Sequence, residues 1–242
     1  MAHGTPDYNI TSGRVTTHRV TDLGELAVRL GSPISHDRRG DVVHWDDFEC
    51  DTVRYDVALV GTGAAAARST ARAHSGTTSW LLTGGSNGAG YAQFIASEPP
   101  IVRSQTGIEI AFNLPGALAA FGISIADYNG ASLWNARLHW TDTSNVLSYV
   151  NAAGVETTIA TGIDLPVNIP TWNIMKLVAD LAAHTYVRAI LNDRTYALPG
   201  IPIEQTADGR APRVDLTMTV FSRAGFNDTA YIDDLIITQN EP

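Results

Sequence analysis

The chain has 242 residues, a formal net charge of -9, and 44% hydrophobic against 17% charged residues. That balance supplies a full core and excludes a disordered chain, while the acidic surplus repels phosphate backbones and excludes general nucleic-acid binding. The single cysteine, Cys50, excludes an intrachain disulfide, and no apolar run approaches the ~20 residues that span a bilayer, so no membrane partner is expected.

Residues 1 to 45 are rich in Thr, Arg, Asp and Gly and hold one apolar stretch, Leu23-Gly-Glu-Leu-Ala-Val-Arg-Leu30, readable as a short strand or a helical turn. Met1 to Arg14 carry neither a charged n-region nor an apolar h-region, so no secretory signal is read there. The segment cannot bury a core of its own and reads as an N-terminal arm or linker that docks on a neighbouring subunit. Gly31 to Gly40 reads as a loop.

From Trp45 the pattern becomes β. Asp46-Asp-Phe-Glu49 opens a strand and Tyr55 to Val60 forms the next, followed by Gly61-Thr-Gly-Ala-Ala-Ala-Ala67, which is open between strand edge, loop and helix. Gly76 to Thr83 and Tyr91 to Ile95 read as strands. Gly107 to Asn113 alternates strictly and places Ile108, Ile110 and Phe112 on one face. Gly122 to Tyr128 repeats that period and ends in the hairpin turn Asn129-Gly130. Further strands are read at Ala136 to Trp140, Asn145 to Val150, Val155 to Ile159, Thr171 to Asp180, Thr185 to Leu191, Arg194 to Leu198, Val214 to Phe221 and Ala230 to Thr238. About a dozen short strands with turn signals between them, and no long helix, predict an all-β, antiparallel two-sheet β-sandwich over residues 46–242.

Five segments in order, Asp46-Asp-Phe-Glu49, Gly76-x-x-Ser-x-Leu-Leu82, Trp172 to Asp180, Tyr186 to Arg194 and Ala230-Tyr-Ile-Asp-Asp-Leu-Ile-Ile-Thr238, resemble the concanavalin A-like (laminin-G-like) jelly rolls of lectins, glucanases and carbohydrate-binding modules. The resemblance covers roughly residues 45–240 and implies fold more than function. It implies a structural calcium (Ca2+) that joins Asp47 and Glu49 to Asp233 or Asp234, since calcium takes six to eight oxygens from segments distant in sequence. The competing reading leaves these acids at strand ends in water. The alternating Glu-x-Asp-x-x-Glu strand of the glucanases is absent, so no catalytic residues are assigned and no enzyme is expected; glycoside hydrolysis needs two facing carboxylates.

Trp134, His139 and Trp140 cluster in the sequence as a candidate glycan contact, with Tyr128 and Trp172 near enough in type to join them. Aromatics on strands are more often core, and Trp172 is read that way. Cys50 is read as a small buried residue. The seven histidines show no metal-ligand spacing. A jelly roll with an arm, no secretion signal and no catalytic constellation points first to a structural assembly protein. The closest fit is a virion component, a capsid decoration or tail-associated protein of a phage, released by lysis or held in the cytoplasm, with a homo-oligomer or other virion proteins as partners. The second reading is a carbohydrate-binding module or lectin with glycans as partners, and the third an atypical glycoside hydrolase.

Overall fold

A computed structural model describes residues 40–50, 55–99 and 103–242. Sixteen strands follow one another with no helix among the described residues: β1 (Asp41–Asp46), β2 (Asp56–Val60), β3 (Ala65–Ser69), β4 (Ser79–Thr83), β5 (Tyr91–Glu98), β6 (Gln105–Asn113), β7 (Ala120–Tyr128), β8 (Ser132–Thr141), β9 (Val146–Val150), β10 (Glu156–Thr161), β11 (Trp172–Asp180), β12 (Thr185–Leu191), β13 (Arg194–Pro202), β14 (Glu204–Ala207), β15 (Arg213–Phe221) and β16 (Thr229–Gln239). They build two antiparallel sheets, the all-β two-sheet sandwich that the sequence predicts. Sheet A runs β13-β12-β11-β6-β16-β4-β3, with β1 also on β16; sheet B runs β10-β9-β8-β7-β15-β5-β2, with β14 on β8.

Strict alternation decides what lies between the sheets. Ile108, Ile110 and Phe112 of β6 are fully buried against Phe121, Ile123 and Ile125 of β7, and Phe112 stacks on Phe121 at 4.3 Å between ring centroids. Leu216, Met218 and Val220 of β15 fill the same layer. The Asn129-Gly130 turn forms as read: Gly130 has φ 93°, where a side chain is strained, and the Asn129 N–H donates to Ser132 O at 3.1 Å.

Three expectations change. The sandwich begins at Asp41 rather than residue 46, because Asp41 to Asp46 pairs with Gln239 to Leu235 of β16. The open segment 61–67 resolves into a turn at Gly61 and Gly63, both at positive φ, followed by edge strand β3. Strand β14 lacks an apolar pattern and escapes the sequence reading; backbone pairing with β8 defines it. Residues 1–39, most of the expected arm, lie outside the described residues, and so does its expected docking on a neighbouring subunit.

Strand β16 changes partner half-way. Its free edge carries β4 as far as Ile232 and β1 from Leu235 onward. Between them the register against β6 shifts, and Asp234 adopts φ 48°. This bulge turns two consecutive acids into the gap between β4 and β1, where the β3–β4 connection passes.

Candidate functional site

Three of the four acids expected to hold calcium, Glu49, Asp233 and Asp234, occupy two separate sets of hydrogen bonds made by the β3–β4 connection. Asp233 Oδ2 accepts from the backbone N–H of His74 at 2.6 Å and Ser75 at 3.2 Å, and Oδ1 accepts from the Asp234 N–H at 2.8 Å. Asp234 accepts from the Ser75 hydroxyl at 2.6 Å and pairs with His74 Nδ1. Glu49 Oε1 accepts from the N–H of Thr77 at 2.7 Å and of Thr78 at 2.6 Å, and the two threonine hydroxyls add bonds at 2.9 Å. Asp47 Oδ1 accepts from the Glu49 N–H at 3.2 Å.

These residues do not fit a calcium site. The oxygens of Glu49, Asp233 and Asp234 already face protein donors, and the described residues contain no group of three or more His, Cys, Asp or Glu side chains placed to hold a metal ion. The connection itself joins the segment after β1 to β16, the task the resemblance assigned to a cation. The electrostatics of the two sets differ. Burial pushes the Glu49 carboxyl up, but the Thr77 and Thr78 donors outweigh it and bring the group to about 2. Burial, then the adjacent Asp234 charge, pushes Asp233 up to about 7 against its backbone donors.

The aromatic cluster also separates. Trp134 and Trp140 of β8 share a parity with the core positions Ala136 and Leu138, whereas His139 has the opposite one. Trp140 is fully buried and donates its indole N–H to Ile163 O at 3.0 Å, so it cannot touch a glycan. Trp134 packs against the rim of the core, its ring stacked on His184 at 3.9 Å and 6°. Tyr128 is buried, with the Arg210 and Arg213 guanidinium groups over its ring at 4.6 and 5.0 Å. Trp172, read as core, sits half-buried on the outer side of sheet A, edge-on to His74 at 5.4 Å. Cys50, read as buried, is exposed.

His139 lies on the outer face of sheet B, and a groove surrounds it. Four strands line it: Tyr91 and Gln93 of β5, Gly122 and Ser124 of β7, Asn135 and Arg137 of β8, and Thr219 and Phe221 of β15. It holds about 530 Å³, counting space open to solvent. Its floor is polar. Ser124 and Thr217 share a hydrogen bond of 2.5 Å, and Gln93 donates to the Thr219 hydroxyl at 3.3 Å. Gly122 makes room for the imidazole: a Cβ there would stand 2.5 Å from His139 Cδ2.

The ring of His139 is fixed from two sides. Phe221 meets it edge-on at 5.4 Å, with Tyr91 beyond at 6.2 Å from Phe221. Nδ1 bonds Glu156 Oε1 at 2.7 Å across from β10, and this hydrogen bond holds the Glu156 carboxyl below its ordinary range. Arg137 is anchored by an ion pair with Glu204 of β14. Half-buried aromatic rings therefore border a floor of hydroxyls and amides, with one cation held at the edge. Of the groove residues the sequence singled out only His139. The others lie on four strands, and only sheet pairing brings them together.

No protein-family model matches the chain, and no curated protein matches it. Among solved structures, a Bacillus subtilis protein of unknown function with a galectin-like fold is similar at 12% identity and a TM-score of 0.48, over 83% of this chain and 97% of that one. The basic winged bean lectin with Tn-antigen is similar at 9% identity and a TM-score of 0.46, over 82% and 97%. A structure of carbohydrate-binding modules from the β-sandwich superfamily is similar at 16% identity and a TM-score of 0.45; the chain matches over 80% of its own length and spans 60% of that one.

Proposed function

We propose that the protein binds carbohydrate in the groove on the outer face of sheet B. The observation that carries this reading is the placement of His139, Phe221 and Tyr91 beside the polar floor of Gln93, Ser124 and Thr219. A pyranose ring offers an apolar C–H face and a rim of hydroxyls. Stacking on half-buried aromatics and hydrogen bonds to fixed amides, hydroxyls and a guanidinium group match those two properties. Asn135 and Arg137 extend the donor set along β8. The groove favours this over the assembly reading, whose main support, the arm, lies outside the described residues.

A glycan array, followed by titration calorimetry with the best hit, tests the proposal. Binding is expected, and Phe221→Ala and His139→Ala each weaken it about tenfold or more, roughly 1.4 kcal/mol. Thr195→Ala on the opposite sheet leaves affinity unchanged. An array without hits, or affinity indifferent to both groove substitutions in folded protein, sinks the reading.

A further inference from the structure

Glu156 stands beside the groove on sheet B, outside its walls. It lies on β10 opposite Val150 of β9, whereas His139 lies on β8 opposite Ser148 of the same strand. The carboxylate therefore crosses β9 on the diagonal to reach His139 Nδ1 at 2.7 Å. The two β9 residues on that face, Ser148 and Val150, are 3% and 2% exposed.

This bond settles the polarity of the imidazole. Its hydrogen bond to His139 holds the Glu156 carboxyl below the ordinary range, and an ionised carboxylate only accepts. Nδ1 therefore carries the proton, and in a neutral imidazole the lone pair then sits on Nε2. The Cδ2–Nε2 edge of the ring lies over Gly122, a groove residue: a Cβ there would stand 2.5 Å from Cδ2 and 3.2 Å from Nε2. Nε2 has no hydrogen-bond partner among the described residues, whereas Nδ1 is taken by Glu156.

We propose that Glu156 is a positioning residue: it makes His139 Nε2 a hydrogen-bond acceptor in the groove, and so selects sugars that present a hydroxyl to donate there. This rests on the carbohydrate reading of the groove. The neighbouring groups make the polarity selective. Arg137, two residues away on the same strand face, only donates, and Glu204 holds its guanidinium. Ser124 and Thr217 bond each other, and Thr219 already accepts from Gln93. A sugar therefore meets an acceptor at His139 and a donor about 6–7 Å further along β8. O-methylation of the hydroxyl opposite His139 removes the proton that Nε2 accepts and sets a methyl against the ring. Without Glu156 the imidazole takes either tautomer, and the acceptor is no longer fixed.

The test is nuclear magnetic resonance on the 15N-labelled full chain at pH 8. His139 is identified as the imidazole lost in His139→Ala. The ring 15N shifts of the parent are expected to show a protonated Nδ1 and a bare Nε2, and Glu156→Ala should move them toward a mixture of tautomers. Methyl hexosides and their mono-O-methyl derivatives are then titrated into the parent, Glu156→Ala, His139→Ala and the double variant. A hexoside is expected to bind the parent and shift the Nε2 resonance, with one O-methyl derivative bound several-fold more weakly. Glu156→Ala should weaken binding several-fold in the parent but less than twofold in the His139→Ala background, because it acts through the imidazole. A proton on Nε2 in the parent, or an equal Glu156→Ala loss without His139, overturns the proposal and leaves the groove reading standing. If no methyl hexoside binds, the proposal falls; if the glycan array is silent too, the groove reading falls with it.

Discussion

Two acids, Glu49 after β1 and Asp233 in β16, pull the pH dependence of stability in opposite directions. Asp233 is raised from 3.8 to about 7 by burial and by Asp234, so the folded state holds a proton that the unfolded state releases. The unfolded chain then binds fewer protons between about pH 4 and 7. Stability from this group is full below 4 and falls as pH rises through 7, by up to about 1.4 kcal/mol per unit. Glu49 is depressed from 4.5 to about 2, so its contribution is present above 4.5 and lost as pH falls toward 2. Melting temperature is therefore expected to peak near pH 4 to 5 as far as these groups decide it. Asp233→Asn should flatten the decline on the alkaline side, and Glu49→Gln the loss on the acid side. Calorimetric scans from pH 2 to 8 on the three proteins check this; slopes identical to the parent in both variants would show that neither acid governs the profile.

Along β8, adjacent residues belong to different surfaces. His139→Ala removes a groove wall and is expected to cost less than about 1 kcal/mol of stability, because the site faces water on one side. Trp140→Ala removes a fully buried indole and its bond to Ile163 O, and is expected to cost about 3–5 kcal/mol. Urea unfolding of both variants, read against glycan affinity, separates the two faces; comparable stability losses would contradict the assigned parity. That parity was legible in the sequence. Positions 134, 139 and 140 on one strand cannot share a face, since successive side chains point to opposite sides. The period-two runs in β6, β7, β11, β15 and β16 were legible for the same reason, because each has an apolar face. Strand β14 was not, since its four residues pair with β8 through backbone alone. The groove was hidden more deeply. Gln93, Ser124 and Thr219 are ordinary polar strand residues, and they become one surface only through the order β8-β7-β15-β5 of the sheet.

The segment after β1 and the last residues are both locked to the middle of the molecule. At one end of sheet A the 74–78 connection ties Glu49 to Asp233 and Asp234. At the other, the last residues fold back over β11 and β12, where Glu241 is buried against Lys176, Arg188 and Thr238. A buried carboxylate of this kind costs several kcal/mol to desolvate and recovers that cost only while its partners stay in place. Glu241→Ala should therefore destabilise the fold by about 3–5 kcal/mol, since it takes one counter-charge from two buried cations at once. The isosteric Glu241→Gln keeps the shape and some hydrogen bonds, and should fall between the parent and the alanine variant. Combining Glu241→Leu with Lys176→Met removes one charge pair and retains volume, but still takes Glu241 from Arg188 and Lys176 from Glu109, so it should recover only part of the loss. Guanidinium unfolding of the four proteins distinguishes a buried charge lock from simple covering of the sheet: in the latter case the alanine and glutamine variants would differ according to lost volume alone, and the double substitution would recover nothing beyond its Leu side chain.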